Sequence, residues 1–172
     1  MKKHIKLIFL DIDGVLNCET TKERCGPYIG IDQEKVKLLK ELVDQTGAYL
    51  ILISTWKYYW YRNPTLKCKQ DELANYLDES LKKHGLKIAA KTKDFGDPFF
   101  RSEGINALRL HLIKKNISTS RYVIFDDMEF DYKEAGLANR LIQTSEVTGL
   151  QKEHIEKAIK LLNNKKGDIH IC

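Results

Sequence analysis

The chain has 172 residues, of which 42% are hydrophobic and 31% charged, values typical of one folded, water-soluble domain. This composition excludes a disordered chain, and the length leaves too little sequence for two full domains. Lys and Arg number 29 against 24 Asp and Glu, so the formal net charge is +5 and the pI is near 8.9. That excess favours anionic, phosphate-bearing ligands but is too small for a protein that coats DNA.

The first residues imitate the charged front of a signal peptide, because residues 2–6 are mostly basic and an apolar run follows at 7–10. Asp11 and Asp13 end this run too early for a secretory core, and no small-residue cleavage pattern follows. No other stretch approaches the roughly 20 apolar residues that cross a bilayer. We therefore expect a cytoplasmic protein that does not bind a membrane.

The cysteines Cys18, Cys25, Cys68 and Cys172 lie at scattered spacings without a Cys-x-x-Cys pair. In a cytoplasmic protein this pattern indicates free thiols. The alternative is a zinc site on Cys18 and Cys25, which would lack the usual ligand pairs.

Apolar periodicity predicts strands and helices that alternate along the chain. The predicted strands are residues 5–10, 48–53, 86–90, 122–125 and 140–143. The predicted helices are residues 32–45, 71–84, 102–115 and 148–162. This order predicts a three-layer α/β fold around a central parallel sheet with right-handed crossovers. We expect one domain over residues 1–164 and a short tail over residues 165–172.

Acidic and hydroxyl side chains follow three of these strands at their carboxyl ends. They are Asp11 and Asp13 after the first strand, Ser54 and Thr55 after the second, and Asp126 and Asp127 after the fourth. Because ligands of open α/β sheets bind at this edge, we expect these side chains to form one site. Four carboxylates crowded together require a hard divalent cation with oxygen ligands, Mg²⁺ before Ca²⁺.

The segment Phe9-Leu-Asp-Ile-Asp-Gly-Val-Leu16, then Ser54, then the pair Asp126-Asp127 resemble motifs I, II and IV of the haloacid dehalogenase (HAD) superfamily of phosphohydrolases. Finer features are similar to the small HAD domains associated with RNA repair proteins of the Swiss Army Knife type. These features are Asp-Gly-Val-Leu-Asn17, Ser-Thr-Trp56, Arg101-Ser-Glu-Gly-Ile105, Phe125-Asp-Asp-Met128, Gln143-Thr144 and Thr148-Gly-Leu150. The resemblance implies a Rossmann-like HAD fold and a Mg²⁺-dependent phosphatase.

The resemblance also implies a role for each residue of the predicted site. Asp11 would attack phosphorus and form an aspartyl-phosphate, while Asp13 would protonate the leaving oxygen and later activate water. Ser54 would donate a hydrogen bond to a phosphoryl oxygen. Mg²⁺ would be held by the Asp11 side chain, the Asp13 backbone carbonyl and Asp126, with Asp127 binding directly or through water.

The basic residue of motif III has three candidates. Arg101 precedes the predicted third helix, a position from which a cation can reach the strand ends. Lys91 and Lys93 are alternatives, because the loop over residues 94–100 can fold either one inward. The choice matters, since Arg binds phosphate as a bidentate fork and Lys as a point charge.

Little sequence is left for a lid over the site. One loop and one helix separate Asp13 from Ser54, and one helix and one short strand separate Ser54 from Arg101. We therefore expect minimal or no cap. An open site of this kind suits the end of a large substrate. Residues 17–31 are predicted to form a mobile flap that closes over the leaving group.

Five aromatics and two cations occupy seven residues directly after motif II, from Trp56 to Arg62. Such a segment can stack unpaired bases and bind a nucleic-acid backbone. On this basis Thr55, Trp56, Lys57 and Arg62 are predicted to bind substrate. Ordinary packing of the aromatics against the sheet is the alternative interpretation.

These observations predict a Mg²⁺-dependent phosphomonoesterase acting on a nucleotide or on an RNA or DNA end. Two alternatives stay open: a small-metabolite phosphatase of the same superfamily, and a weakly active nucleic-acid-binding accessory domain with an irregular motif III. A receiver-type signalling domain would carry its acidic pair after the first strand and its phosphorylated Asp after a middle one. This chain has the reverse arrangement.

Overall fold

The computed structural model describes residues 3–96 and 100–164. Its strands are Lys3–Leu10 (β1), Arg24–Cys25 (β2), Tyr28–Ile29 (β3), Tyr49–Leu52 (β4), Ile88–Lys91 (β5), Ile117–Asp126 (β6) and Leu141–Gln143 (β7). Its α-helices are Gln33–Thr46 (α1), Pro64–Lys67 (α2), Glu72–Lys82 (α3), Arg101–Lys114 (α4) and Lys152–Asn163 (α5). Thr55–Tyr58 and Ala138–Arg140 are short 3₁₀ helices. The predicted tail over residues 165–172 lies outside the described residues.

Five parallel strands form the main sheet in the order β5-β4-β1-β6-β7. The central strand β1 pairs with β4 on one side and β6 on the other. Leu10 lies opposite Leu52 in β4 and opposite Phe125 in β6. The residues that follow these three positions therefore meet at one edge of the sheet, which confirms the predicted parallel α/β fold.

Apolar side chains cover both faces of the sheet, because successive residues of a buried strand point to opposite sides. Ile8 and Leu10 pack into a core with residues of α1, α3 and α5. Leu7 and Phe9 pack into a second core with residues of α4 and with Tyr132. The two cores give the three layers predicted from the order of elements.

Local capping decides where several helices begin and end. The Asp32 side chain accepts a hydrogen bond from the Glu34 backbone N–H, and Gly47 ends α1 with a φ of 66°. Asp before the first turn and Gly after the last turn are residues that commonly bound a helix. Helix α5 begins at Lys152 rather than at 148, because Gly149 has a positive φ and Gln151 with His154 forms the capping box.

The structure differs from the sequence predictions in three further places. Strand β6 begins at Ile117, five positions before the predicted start, because buried polar residues such as Ser118 and Thr119 continue the strand. Residues 17–31 contain the hairpin β2–β3, which turns at Gly26. The single-turn helix α2 was not predicted, since four residues carry no periodicity.

In the described part of the chain, every helix is too short or too polar to traverse a lipid bilayer. Cys18 and Cys25 are buried free thiols, and Cys68 is an exposed one. Among the described residues, no group of side chains able to hold a metal includes a cysteine, so the zinc alternative has no support.

Gly104 in α4 offers a test of how tightly this helix packs on the sheet edge. A Cβ at this position would meet the Lys93 carbonyl oxygen and the Thr92 side chain. We expect Gly104→Ala to lower the free energy of unfolding by about 1 kcal/mol or more, although Ala favours helices. Urea denaturation measures the free energy of unfolding of each variant. Asn106→Ala, on the exposed side of the same helix, serves as the control and should not destabilise; equal effects of both variants would contradict the packing described.

Candidate active site

Asp11 directly follows β1 and is 3% exposed. Its backbone N–H donates to the Phe125 carbonyl at 3.0 Å, so the residue continues the pairing of β1 with β6. One carboxylate oxygen accepts from the Ile12 N–H at 2.8 Å, and the other lies 2.8 Å from the Arg101 guanidinium. The carboxylate is therefore held in one orientation at the strand end.

Asp126 is the last residue of β6 and is fully buried. Its carboxylate accepts hydrogen bonds from the Tyr132 hydroxyl at 2.7 Å and the Met128 N–H at 3.1 Å, and it contacts Arg101 at 2.7 Å. Burial and the neighbouring Asp11 carboxylate raise the pKa of Asp126 to about 7. The same two causes raise the pKa of Asp127.

A cation fits between these carboxylates. Oxygens of Asp11, Asp126 and Asp127 all lie within 4.8 Å of one another. The single guanidinium of Arg101 cannot balance three carboxylates, and burial leaves Asp11 and Asp126 little water to solvate their charge. An all-oxygen donor set of this charge suits Mg²⁺. The Asp13 side chain is not part of the cluster, and binding through its backbone carbonyl stays a prediction.

Arg101 is the basic residue that the structure places against the carboxylates. It begins α4, bridges Asp11 and Asp126, and lies 4.1 Å from the centre of the Phe130 ring. The other two motif III candidates point elsewhere. Lys91 donates to the Lys57 carbonyl at 2.6 Å, and Lys93 is exposed beside a different cavity, between β5 and α4.

Asp131 holds the beginning of α4, which has no side-chain cap of its own. Its carboxylate accepts from the Ser102 backbone N–H at 3.1 Å and from the Ser102 hydroxyl at 2.5 Å. These contacts satisfy a backbone donor at the helix start and tie α4 to the loop after β6. Asp131 thereby positions Arg101, a role that the sequence pattern did not predict.

The turn after β1 brings its backbone close to Asp127. Gly14 has a φ of 67°, and a Cβ there would lie 2.5 Å from the Asp127 side chain. Asn17, 2% exposed, accepts from the Gly14 N–H at 3.0 Å and donates to Asp13 at 2.8 Å. The sequence pattern gave Asn17 no separate role, but its burial and its bonds to the turn give it a positioning role.

Ser54 and Trp56 follow β4 at the same edge. Ser54 is 1% exposed and accepts a long hydrogen bond, 3.4 Å, from the Trp56 backbone N–H. The Trp56 indole N–H donates to the Asp13 carboxylate at 2.9 Å. Because Asn17 binds the other oxygen, the exposed Asp13 carboxylate is held from two sides.

The other three residues predicted to bind substrate, Thr55, Lys57 and Arg62, do not lie together. Thr55 is exposed near Asp13, whereas Lys57 is buried and contacts Asp94 at 2.6 Å. A buried ammonium requires such partners, so Lys57 serves the packing of its loop and does not present a charge to solvent. Arg62 is exposed and lines a second cavity, on the far side of α3.

A cleft of about 410 Å³ opens beside Asp13. One wall is the hairpin β2–β3, another is the segment after β4, and the third is the start of α3. The residues of these walls are Asp13, Cys25, Gly26, Pro27, Tyr28, Thr55, Trp56, Tyr58, Tyr59, Asp71, Glu72 and Leu73. Part of the segment predicted as a flap, residues 25–28, therefore forms a wall of this cleft.

Residues 7–155 match the family described as the HAD domain in Swiss Army Knife RNA repair proteins. The chain belongs to this family. The fold resembles a Mesorhizobium loti protein assigned to the HAD-like phosphatases, with a TM-score of 0.53, 14% identity, and coverage of 95% of this chain and 90% of that one. It also resembles the HAD domain of the Legionella pneumophila effector Lem4, with a TM-score of 0.50, 15% identity and coverage of 95% and 98%. No curated protein matches the sequence significantly.

Magnesium binding at the carboxylate cluster can be measured without any substrate. We expect Mg²⁺ to raise the Tm, because a ligand at about 100 times its Kd stabilises the folded state by about 2.7 kcal/mol. Asp127→Asn should weaken this effect, whereas Asp44→Asn, on the surface of α1, should leave it intact. An equal Tm increase in the wild type and in Asp127→Asn would exclude Asp127 from the metal site.

Proposed function

We propose that the protein is a Mg²⁺-dependent phosphomonoesterase that works through an aspartyl-phosphate on Asp11. The observation that carries this proposal is the Asp11 carboxylate, held at a strand end between Arg101 and the carboxylates of Asp126 and Asp127. A carboxylate needs no prior deprotonation to act as a nucleophile at neutral pH. Membership of the HAD family supports the same chemistry.

Two carboxylates divide the reaction between them. An Asp11 oxygen forms a bond to phosphorus while the bond from phosphorus to the leaving oxygen breaks, and Asp13 gives that oxygen its proton. In the second half, Asp13 takes a proton from water, whose oxygen attacks phosphorus and releases Asp11 as a carboxylate. Asn17 and Trp56 keep Asp13 in place for both steps.

The charge of the transferred phosphoryl group needs positive partners and hydrogen-bond donors. Arg101 supplies a guanidinium beside the nucleophile, and Ser54 supplies a hydroxyl at the neighbouring strand end. Asp11, Asp126 and Asp127 would hold Mg²⁺, which when bound neutralises phosphoryl oxygens. The contacts of Arg101 with Asp11 and Asp126 support its role as the motif III cation and weigh against the alternative of an accessory domain weakened at this motif.

The substrate we favour is a nucleotide or the phosphorylated end of a polynucleotide. The description of the matching family names RNA repair proteins. In the described residues only the short hairpin β2–β3 and α1 lie between β1 and β4, so the site has no large lid. A small-metabolite phosphatase remains the second candidate, because the cleft beside Asp13 has the volume of a small-molecule pocket, roughly 300–1,000 Å³.

The nucleophile is tested by Asp11→Asn. We expect the wild type to release phosphate from an aryl phosphate only with Mg²⁺, and Asp11→Asn to lower kcat by about 10³-fold or more. Colorimetric assay of the phenol measures the rate. Asp44→Asn is the matched control and should retain the wild-type rate. Full activity of Asp11→Asn would refute the mechanism.

The substrate class is tested by measuring the hydrolysis of a panel of phosphomonoesters under identical reaction conditions. We expect kcat/KM for RNA oligonucleotides with a 3′- or 5′-phosphate, or for mononucleotides, to exceed that for sugar phosphates by about tenfold or more, since remote contacts contribute to transition-state binding. Phosphate release is the readout. If sugar phosphates are hydrolysed fastest, the metabolite hypothesis replaces this one.

A further inference from the structure

In the proposed reaction, the cleft beside Asp13 would receive the group that leaves phosphorus. Asp13 forms part of the cleft wall, and in the proposed reaction this residue protonates the leaving oxygen. The remainder of the leaving group therefore lies between the hairpin β2–β3 and the start of α3. The residues of these walls determine which leaving group binds well.

Aromatic rings dominate the exposed walls of the cleft. Tyr28, Tyr58 and Tyr59 are 59%, 45% and 58% exposed, whereas the core tyrosines Tyr122 and Tyr132 are buried. Tyr28 lies on the hairpin, and Tyr58 and Tyr59 follow β4 on another wall. Their flat faces suit a planar ring, as in proteins that stack unpaired bases on aromatic side chains.

The charge of the cleft is negative. Its described lining contains the carboxylates of Asp13, Asp71 and Glu72, and no Lys or Arg. Asp71 uses one oxygen to cap α3 at the Ala74 N–H. Glu72 is exposed, and its side chain makes no hydrogen bond or salt bridge with a described residue. The cleft thus offers hydrogen-bond acceptors to a ligand, and its described lining offers no cation to a further phosphate group.

We propose that this cleft binds the guanine base of the nucleotide that carries the phosphate. Tyrosine rings would pack on the base, and the Glu72 carboxylate would accept its N1–H and exocyclic amino group together. Among the four RNA bases only guanine presents two adjacent N–H donors on its Watson–Crick edge. Adenine and cytosine place an acceptor beside the amino group, and uracil flanks its N–H with two carbonyls. The proposal rests on the proposed function, because it assumes a nucleotide substrate.

The test compares kcat/KM for the 3′- and 5′-monophosphates of guanosine, adenosine, cytidine and uridine, each relative to glycerol phosphate. We expect a guanosine preference of about tenfold or more, because two adjacent N–H groups can form charge-assisted hydrogen bonds with one carboxylate only in guanine. Glu72→Gln should remove most of this preference, since the amide replaces one acceptor with a donor. Glu79→Gln, also exposed on α3 but outside the cleft, should retain it.

The outcomes separate the guanine proposal from the phosphatase proposal. Equal rates for the four bases, or a preference unaffected by Glu72→Gln, overturn the guanine proposal while Asp11-dependent hydrolysis still stands. Faster cleavage of a Lys- and Arg-rich phosphopeptide than of guanosine monophosphate also overturns it. If no ester is hydrolysed, the phosphatase proposal fails. Calorimetric binding of the four nucleotides to the Asp11→Asn variant then decides the guanine proposal by itself.

Discussion

The concentration of negative charge at one edge of the sheet governs the arrangement of the site. Oxygens of Asp11, Asp126 and Asp127 lie within 4.8 Å of one another, and two of these residues are buried. Carboxylates so close in a poorly solvated position repel one another, and the pKa of Asp126 rises to about 7. Arg101 relieves part of this repulsion, and a divalent cation is the natural partner for the rest.

Several elements of the fold keep this unfavourable cluster together. The parallel register places Leu10 and Phe125 side by side, so the carboxylates after them must meet. The Tyr132 hydroxyl and the bonds of Asp131 to Ser102 then hold Asp126 and the start of α4. The stability of the hydrophobic layers thus maintains a group of charges that would separate in an unfolded chain.

The parts of the site that the sequence predicted are those fixed by backbone pairing. Continuous apolar runs marked β1 and β4 clearly, so Asp11 and Ser54 could be placed at strand ends from residue order alone. Loop residues were harder to place, because their contacts depend on distant segments. Lys57 was predicted to bind substrate, but it is buried and forms a salt bridge with Asp94. Asn17 has a role only through its hydrogen bonds with Gly14 and Asp13. The polar start of β6 carried no strand signal and is held by its pairing with β1.

The two sides of Asp13 have different chemical character. On one side lie Arg101 and the carboxylates of the proposed metal site, where a phosphoryl group is expected. On the other side lies an aromatic and acidic cleft, where we propose that a planar leaving group with N–H donors binds. Asn17 and Trp56 hold the Asp13 carboxylate at the wall of this cleft, where the proposed mechanism requires a proton donor to the leaving oxygen.

The proposed mechanism requires that Asp11 becomes covalently phosphorylated during turnover. The most direct measurement is mass spectrometry of peptides from enzyme quenched in acid during reaction with substrate and Mg²⁺. A phosphoryl group on the peptide containing Asp11, absent without Mg²⁺, is the result this mechanism predicts. Phosphate release without a phosphorylated peptide, or with the phosphoryl group on Ser54, would contradict it.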